Sequence, residues 1–139
     1  MNNELFICVA TKGKKEDTLL WQTKHKKMEV YFKEHNKDSL QKVYNKAIDF
    51  AIKENVDHII LCHDDIILEN FDYDKLKDHF KNYDVLGVAG ASQIKVQQPT
   101  LWHLMGGGFG SSHLHGAVAH LHGTQKSMTA FGSYPHQSV

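Results

Sequence analysis

The chain has 139 residues, 41% of them hydrophobic, and 16 basic side chains balance 16 acidic ones. That length supports one domain around one core, and zero formal charge gives no electrostatic pull toward nucleic acid or an anionic membrane. All the basic residues are lysines, so no planar guanidinium fork can grip a phosphate; lysine, backbone N–H groups or a divalent cation must neutralise any diphosphate ligand.

The opening Met1-Asn2-Asn3-Glu4 lacks the basic segment and long apolar stretch of a signal peptide. No apolar run approaches the roughly 20 residues of a membrane span, and cytoplasmic residence is the expectation. Leu5–Ala10 is a short continuous apolar run, the pattern of a strand buried on both faces. It stops at the loop Thr11-Lys12-Gly13. Residues 15–27 are polar around the patch Leu19-Leu20-Trp21 and predict a helix, and Met28–Phe32, with Val30 and Phe32 alternating, predicts a second strand. Glu34–Ser39 reads as a turn whose Asp38 or Ser39 caps the next helix by accepting an N–H bond from its first turn.

That helix is the clearest in the chain: Leu40, Val43, Tyr44, Ala47, Ile48, Ala51 and Ile52 recur at spacings of three and four and build one apolar face. It ends near Glu54-Asn55. His58–Cys62 predicts a third buried strand, Asp72–Asn82 a helix, and Val85–Gly90 a fourth strand. Strands alternating with helices predict an α/β domain with a mostly parallel sheet flanked by helices. Cys8 and Cys62 lie inside the apolar strands without a CxxC or zinc-like spacing, and both read as small core residues.

Residues 91–139 hold both prolines and most of the glycines and histidines, and predict a loop-rich active-site face with short strands. His103, His113, His115, His120, His122 and His136 form a constellation there. In extended chain, His113-x-His115 and His120-x-His122 each place two imidazoles on one face; imidazole suits zinc, nickel or copper better than magnesium. Gly106-Gly107-Gly108-Phe109-Gly110 could bring backbone N–H groups to a phosphate, but it lacks the GxxxxGK[ST] pattern of a nucleoside triphosphatase. Trp102 could stack on a sugar face.

The chemistry concentrates at His63-Asp64-Asp65, directly after the third strand. In open α/β sheets ligands sit in the crevice at the carboxyl ends of the strands. Two adjacent carboxylates repel each other, a local cost that a cation relieves. A hard divalent ion, Mn²⁺ or Mg²⁺, takes oxygen ligands from one or two carboxylates and completes its shell with water and phosphate oxygens. It would also stabilise a departing nucleoside diphosphate as a Lewis acid.

Tyr44-Asn45-Lys46-Ala47-Ile48 followed by Ile59-Ile60-Leu61-Cys62-His63-Asp64-Asp65-Ile66 resembles the bacterial and phage glycosyltransferase-like proteins related to family 2, of the GT-A fold. Their pattern is a Tyr-Asn helix and then an apolar strand ending in His-Asp-Asp. Val9-Ala10-Thr11-Lys12 is similar to their first strand and nucleotide loop, and Leu86–Ala91 to their following strand. Trp102 and Gly116-Ala117-Val118-Ala119-His120 are similar to a later Trp and G-x-V-x-H, so the resemblance extends to about residue 125.

It implies a single GT-A domain over 1–139, with 1–90 the nucleotide-binding βαβ core and 91–139 a donor and acceptor face. It further implies Asp65 as direct metal ligand; one residue of the histidine constellation, His120 first, could complete that ion's shell, or the constellation could bind a soft metal by itself. Ala10, Thr11, Lys12, Asn45, His63 and Asp64 would meet the donor nucleotide or sugar. The partners implied are a UDP-sugar and an acceptor hydroxyl, and a homo-oligomer would give so small a sheet extra cover.

The family usually continues after a G-x-Y-P-like stretch into an Asp-Gly strand and an acceptor-binding helix. Here Gly132-Ser133-Tyr134-Pro135 is followed by four residues, so a domain truncated at the C-terminus is expected, with no catalytic base assigned. Two further functions fit the same residues: a donor-binding module without transfer, and a histidine-based metal-binding protein.

Overall fold

The apolar run Leu5–Ala10 forms strand β1, the middle strand of a three-stranded parallel sheet in this computed structural model. The structure describes residues 4–24, 28–91 and 113–131. Tyr31–Lys33 (β2) runs along one side of β1 and pairs Phe32 with Val9; His58–Cys62 (β3) runs along the other and pairs Cys62 with Val9. A strand paired on both sides spends its N–H and C=O groups in the sheet and needs apolar cover on both faces. Ile7, Cys8 and Val9 are accordingly at most 1% exposed.

The pleat sorts these side chains into two layers. Ile7 and Val9 pack on one face with Leu20, Phe32 and Cys62. Cys8 and Ala10 pack on the other against Val43 and Ala47 of Leu40–Lys53 (α2). The two thiols therefore sit on opposite faces and remain free, as expected of core cysteines. Ser39 caps α2, its hydroxyl accepting the Lys42 N–H at 3.3 Å, and Val43, Ala47 and Ala51 form the buried stripe.

The helix expected over 15–27 is broken. A 3₁₀ turn spans Lys15–Asp17 and the α-helix only Leu19–Thr23 (α1). The cause is Thr18, extended at φ −88° and ψ 144°. Its hydroxyl donates to the Lys15 carbonyl at 2.6 Å, closing the turn, and accepts the Trp21 N–H at 3.2 Å, opening the helix. The second strand starts at Tyr31 rather than Met28, although Met28 and Val30 still pack on the core.

The chain divides into two compact units, Met1–Asp72 and Tyr73–Val139. The second contains Tyr73–Phe80 (α3), inside the predicted helix, and a three-stranded antiparallel sheet of Ala89–Ala91 (β4), Leu114–His122 (β5) and Gln125–Phe131 (β6). The fourth expected strand is thus corrected twice: only its end is strand, and it pairs antiparallel with β5. Of the segment 91–139, expected to hold loops and short strands, the described residues 113–131 form a hairpin over β5 and β6. Gly123, at φ 63°, occupies the first place of its two-residue connection, where a type II′ turn requires glycine. The coarse class is mixed α/β with a small parallel sheet. Among the described residues no helix is long and apolar enough to cross a membrane.

Gly116 has φ 104°, and a Cβ there would stand 2.2 Å from the Val88 carbonyl oxygen. Gly116→Ala is therefore expected to loosen the β4–β5 ladder by at least about 1–3 kcal/mol, read as faster amide exchange there. Leu20→Ala, at a site 0% exposed, is expected to cost about 2–5 kcal/mol in urea unfolding.

Candidate functional site

Three loops leave the carboxyl ends of the parallel strands and surround a cleft of about 830 Å³ in the first unit. Thr11-Lys12-Gly13 follows β1, Asn36-Lys37-Asp38 follows β2, and His63-Asp64-Asp65 follows β3; Asp17, Thr18 and Leu19 add to the rim. This end of a parallel sheet is where strands stop together and their connecting loops leave room for a ligand.

The first two loops are laced to each other beyond the strand ends. Thr11 N–H donates to the Lys33 carbonyl at 3.0 Å, Asn36 N–H to the Thr11 carbonyl at 2.9 Å, and His35 N–H to the Gly13 carbonyl at 3.0 Å. Lys15 N–H adds a bond to Glu34 Oε1 at 2.8 Å. Asn36 shapes its own turn, its side chain accepting the Asp38 N–H at 3.1 Å and donating to the Asp38 carbonyl at 2.9 Å. One wall of the cleft is thus set by backbone geometry, which places the Lys12 and Lys37 stems.

The acidic turn is pinned from both layers. From α2, the Tyr44 hydroxyl donates to the Cys62 carbonyl at 2.8 Å, one residue before the turn. From α1, Leu20 N–H donates to the Asp64 carbonyl at 3.2 Å. Burial, and then the nearby Cys62, Cys8 and Asp64, push the Tyr44 phenol up, which keeps it a donor. Asp64 is half-buried, whereas His63 and Asp65 are exposed.

The cleft is lined by four carboxylates, Asp17, Asp38, Asp64 and Asp65, against two ammonium groups, Lys12 and Lys37. Asp38 is already engaged: Lys42 lies 2.7 Å and Lys46 3.7 Å from its oxygens, and the Lys42 hydrogen bond foremost holds its carboxyl below the usual range. The acidic turn therefore presents hard oxygen donors in a carboxylate-rich setting, which fits a divalent cation that retains water and phosphate ligands. Among the described residues no three His, Cys, Asp or Glu side chains converge as a complete metal cage.

Of the residues singled out from sequence, Ala10, Thr11, Lys12, His63, Asp64 and Asp65 all line this cleft. Asn45 does not; it is exposed on α2, and its neighbour Tyr44 makes the contact to β3. His120 belongs to the second unit, on β5, with its Nε2 3.2 Å from Thr129 Oγ1. Trp102, His103, Gly106–Gly110, Gly132-Ser133-Tyr134-Pro135 and His136 lie outside the described residues. The sequence reading missed Asn36, Lys37, Asp38 and Asp17 as cleft residues; the available signal was that the loop after a second parallel strand opens on the same end. A second hollow, of about 620 Å³, lies beside α2 and is lined mainly by apolar side chains such as Phe6, Tyr31, Val43 and Phe50. Comparison of the chain with protein-family models, with curated proteins and with solved structures finds no match.

Tyr44→Phe keeps the ring but removes the bond to Cys62, and is expected to cost about 1 kcal/mol in urea unfolding. Burial pushes the Cys62 thiol from 9.0 up to about 11, so the unfolded chain ionises first. Stability is expected to be full below about pH 9 and to fall as pH rises toward 11. Urea titrations across that range check this, and Cys62→Ala should flatten the decline.

Proposed function

We propose that this protein is a metal-dependent glycosyltransferase of the GT-A type, working in the cytoplasm. The cleft at the carboxyl ends of β1, β2 and β3 would take a UDP-sugar, and the sugar would pass to an acceptor hydroxyl. The observation that carries the proposal is Asp64-Asp65 standing in that cleft beside the Thr11-Lys12-Gly13 loop. The motif resemblance points the same way.

In this arrangement Asp65, exposed at the cleft, holds a Mn²⁺ or Mg²⁺ ion, and half-buried Asp64 meets the donor sugar or ribose. Thr11 and Lys12 line the base and ribose site, with His63 beside the nucleotide. Such an ion supplies charge neutralisation for a diphosphate, and Lys12 and Lys37 are the ammonium groups at hand to assist it. A chain with no arginine has few other means of holding that charge.

Calorimetry with UDP, with and without Mn²⁺, tests the proposal. Binding is expected to require Mn²⁺, and Asp65→Ala is expected to weaken it by at least about tenfold. Binding indifferent to both metal and Asp65 overturns it. Donor hydrolysis or sugar transfer separates an enzyme from a module that only holds the donor: metal-dependent binding without turnover would favour the module.

A further inference from the structure

The sequence offers two His-x-His pairs, and the structure separates them. His115 is half-buried and lies opposite Gly90 of β4, while His113 precedes the strand. His120 and His122 are instead both exposed on β5, with ring centroids 6.3 Å apart and planes within 22° of parallel. Cross-strand pairing sets their surroundings, because partners directly opposite share a face. His120 lies opposite Ser127, His122 opposite Gln125, and Val118 opposite Thr129. One face of the hairpin therefore groups two imidazoles with two hydroxyls and an amide. Neither β5 nor β6 contains a carboxylate.

We propose that His120 and His122 form a two-imidazole chelate for a borderline-soft divalent cation, copper above nickel and zinc. Two nitrogen donors without a carboxylate discriminate against magnesium and calcium, which demand oxygen. A strand places residues i and i+2 on the same side, so both rings reach a common ion by turning about their side-chain torsions, each bringing a nitrogen to about 2 Å from it. Thr129 orients the His120 ring through Nε2. Among the described residues no third His, Cys, Asp or Glu joins the pair. The site stands independently of the donor-cleft proposal.

The test is titration of the full-length ¹⁵N-labelled protein with Cu²⁺ alone, followed by amide spectra. At substoichiometric copper, paramagnetic broadening is expected to centre on residues 119–123 and 125–129. His120→Ala and His122→Ala should each weaken copper binding at the hairpin by more than about tenfold, whereas His79→Ala, on α3, should leave it unchanged. Electron paramagnetic resonance of the unsubstituted protein, which needs no folded variant, should show two imidazole nitrogens coupled to the bound copper. Broadening centred elsewhere, hairpin affinity unchanged in both histidine variants, or coupling to fewer than two imidazoles would each overturn the proposal.

Discussion

The first unit depends on one strand being enclosed on every side. β1 gives its backbone bonds to β2 and β3, and buries Ile7 and Val9 against one layer and Cys8 and Ala10 against the other. Because both pairings are parallel, all three strands end at the same edge. Residues 11–13, 36–38 and 63–65, far apart in sequence, then meet by necessity around one opening. The cleft is a consequence of topology before it is a matter of any side chain.

Its chemistry follows from what that edge carries. Two neighbouring carboxylates are costly wherever they are held close and partly shielded from water, yet the turn that bears them is tied down by Tyr44 on one side of the sheet and Leu20 on the other. The two bonds fix the backbone of the turn, and a cation bound there, as proposed, would offset the repulsion of its carboxylates. The charge composition points in the same direction, since lysines carry every positive side chain and a point charge grips a diphosphate less specifically than a guanidinium does. On the proposed function, a divalent ion between the aspartates and a diphosphate would do for this chain what arginine does in others.

Local signals were legible in the sequence, and long-range ones less so. The runs 5–10 and 58–62, the helix of Leu40–Lys53 and its Ser39 cap could be read from periodicity and residue type, because each depends on neighbours a few positions away. Thr18 hid its role: its hydroxyl splits an apparently single helix by bonding in both directions, and propensity alone does not show that choice. Ala89–Ala91 is harder to read because its partner, Leu114–Gly116, lies more than twenty residues downstream, and only pairing tells an antiparallel strand from one more βαβ repeat. At the cleft, the residues after β1 and β3 stood out by chemistry. Those after β2 looked like an ordinary polar turn, since Asn36 and Asp38 are turn formers wherever they occur.

Anomalous diffraction from crystals grown with Mn²⁺ and UDP addresses the pair of aspartates most directly. A manganese peak about 2.0–2.6 Å from an Asp65 carboxylate oxygen, with diphosphate oxygens completing its shell, is the predicted result. A map with UDP in the cleft and no metal at the turn after β3, or with manganese bound only away from Asp64 and Asp65, would contradict it.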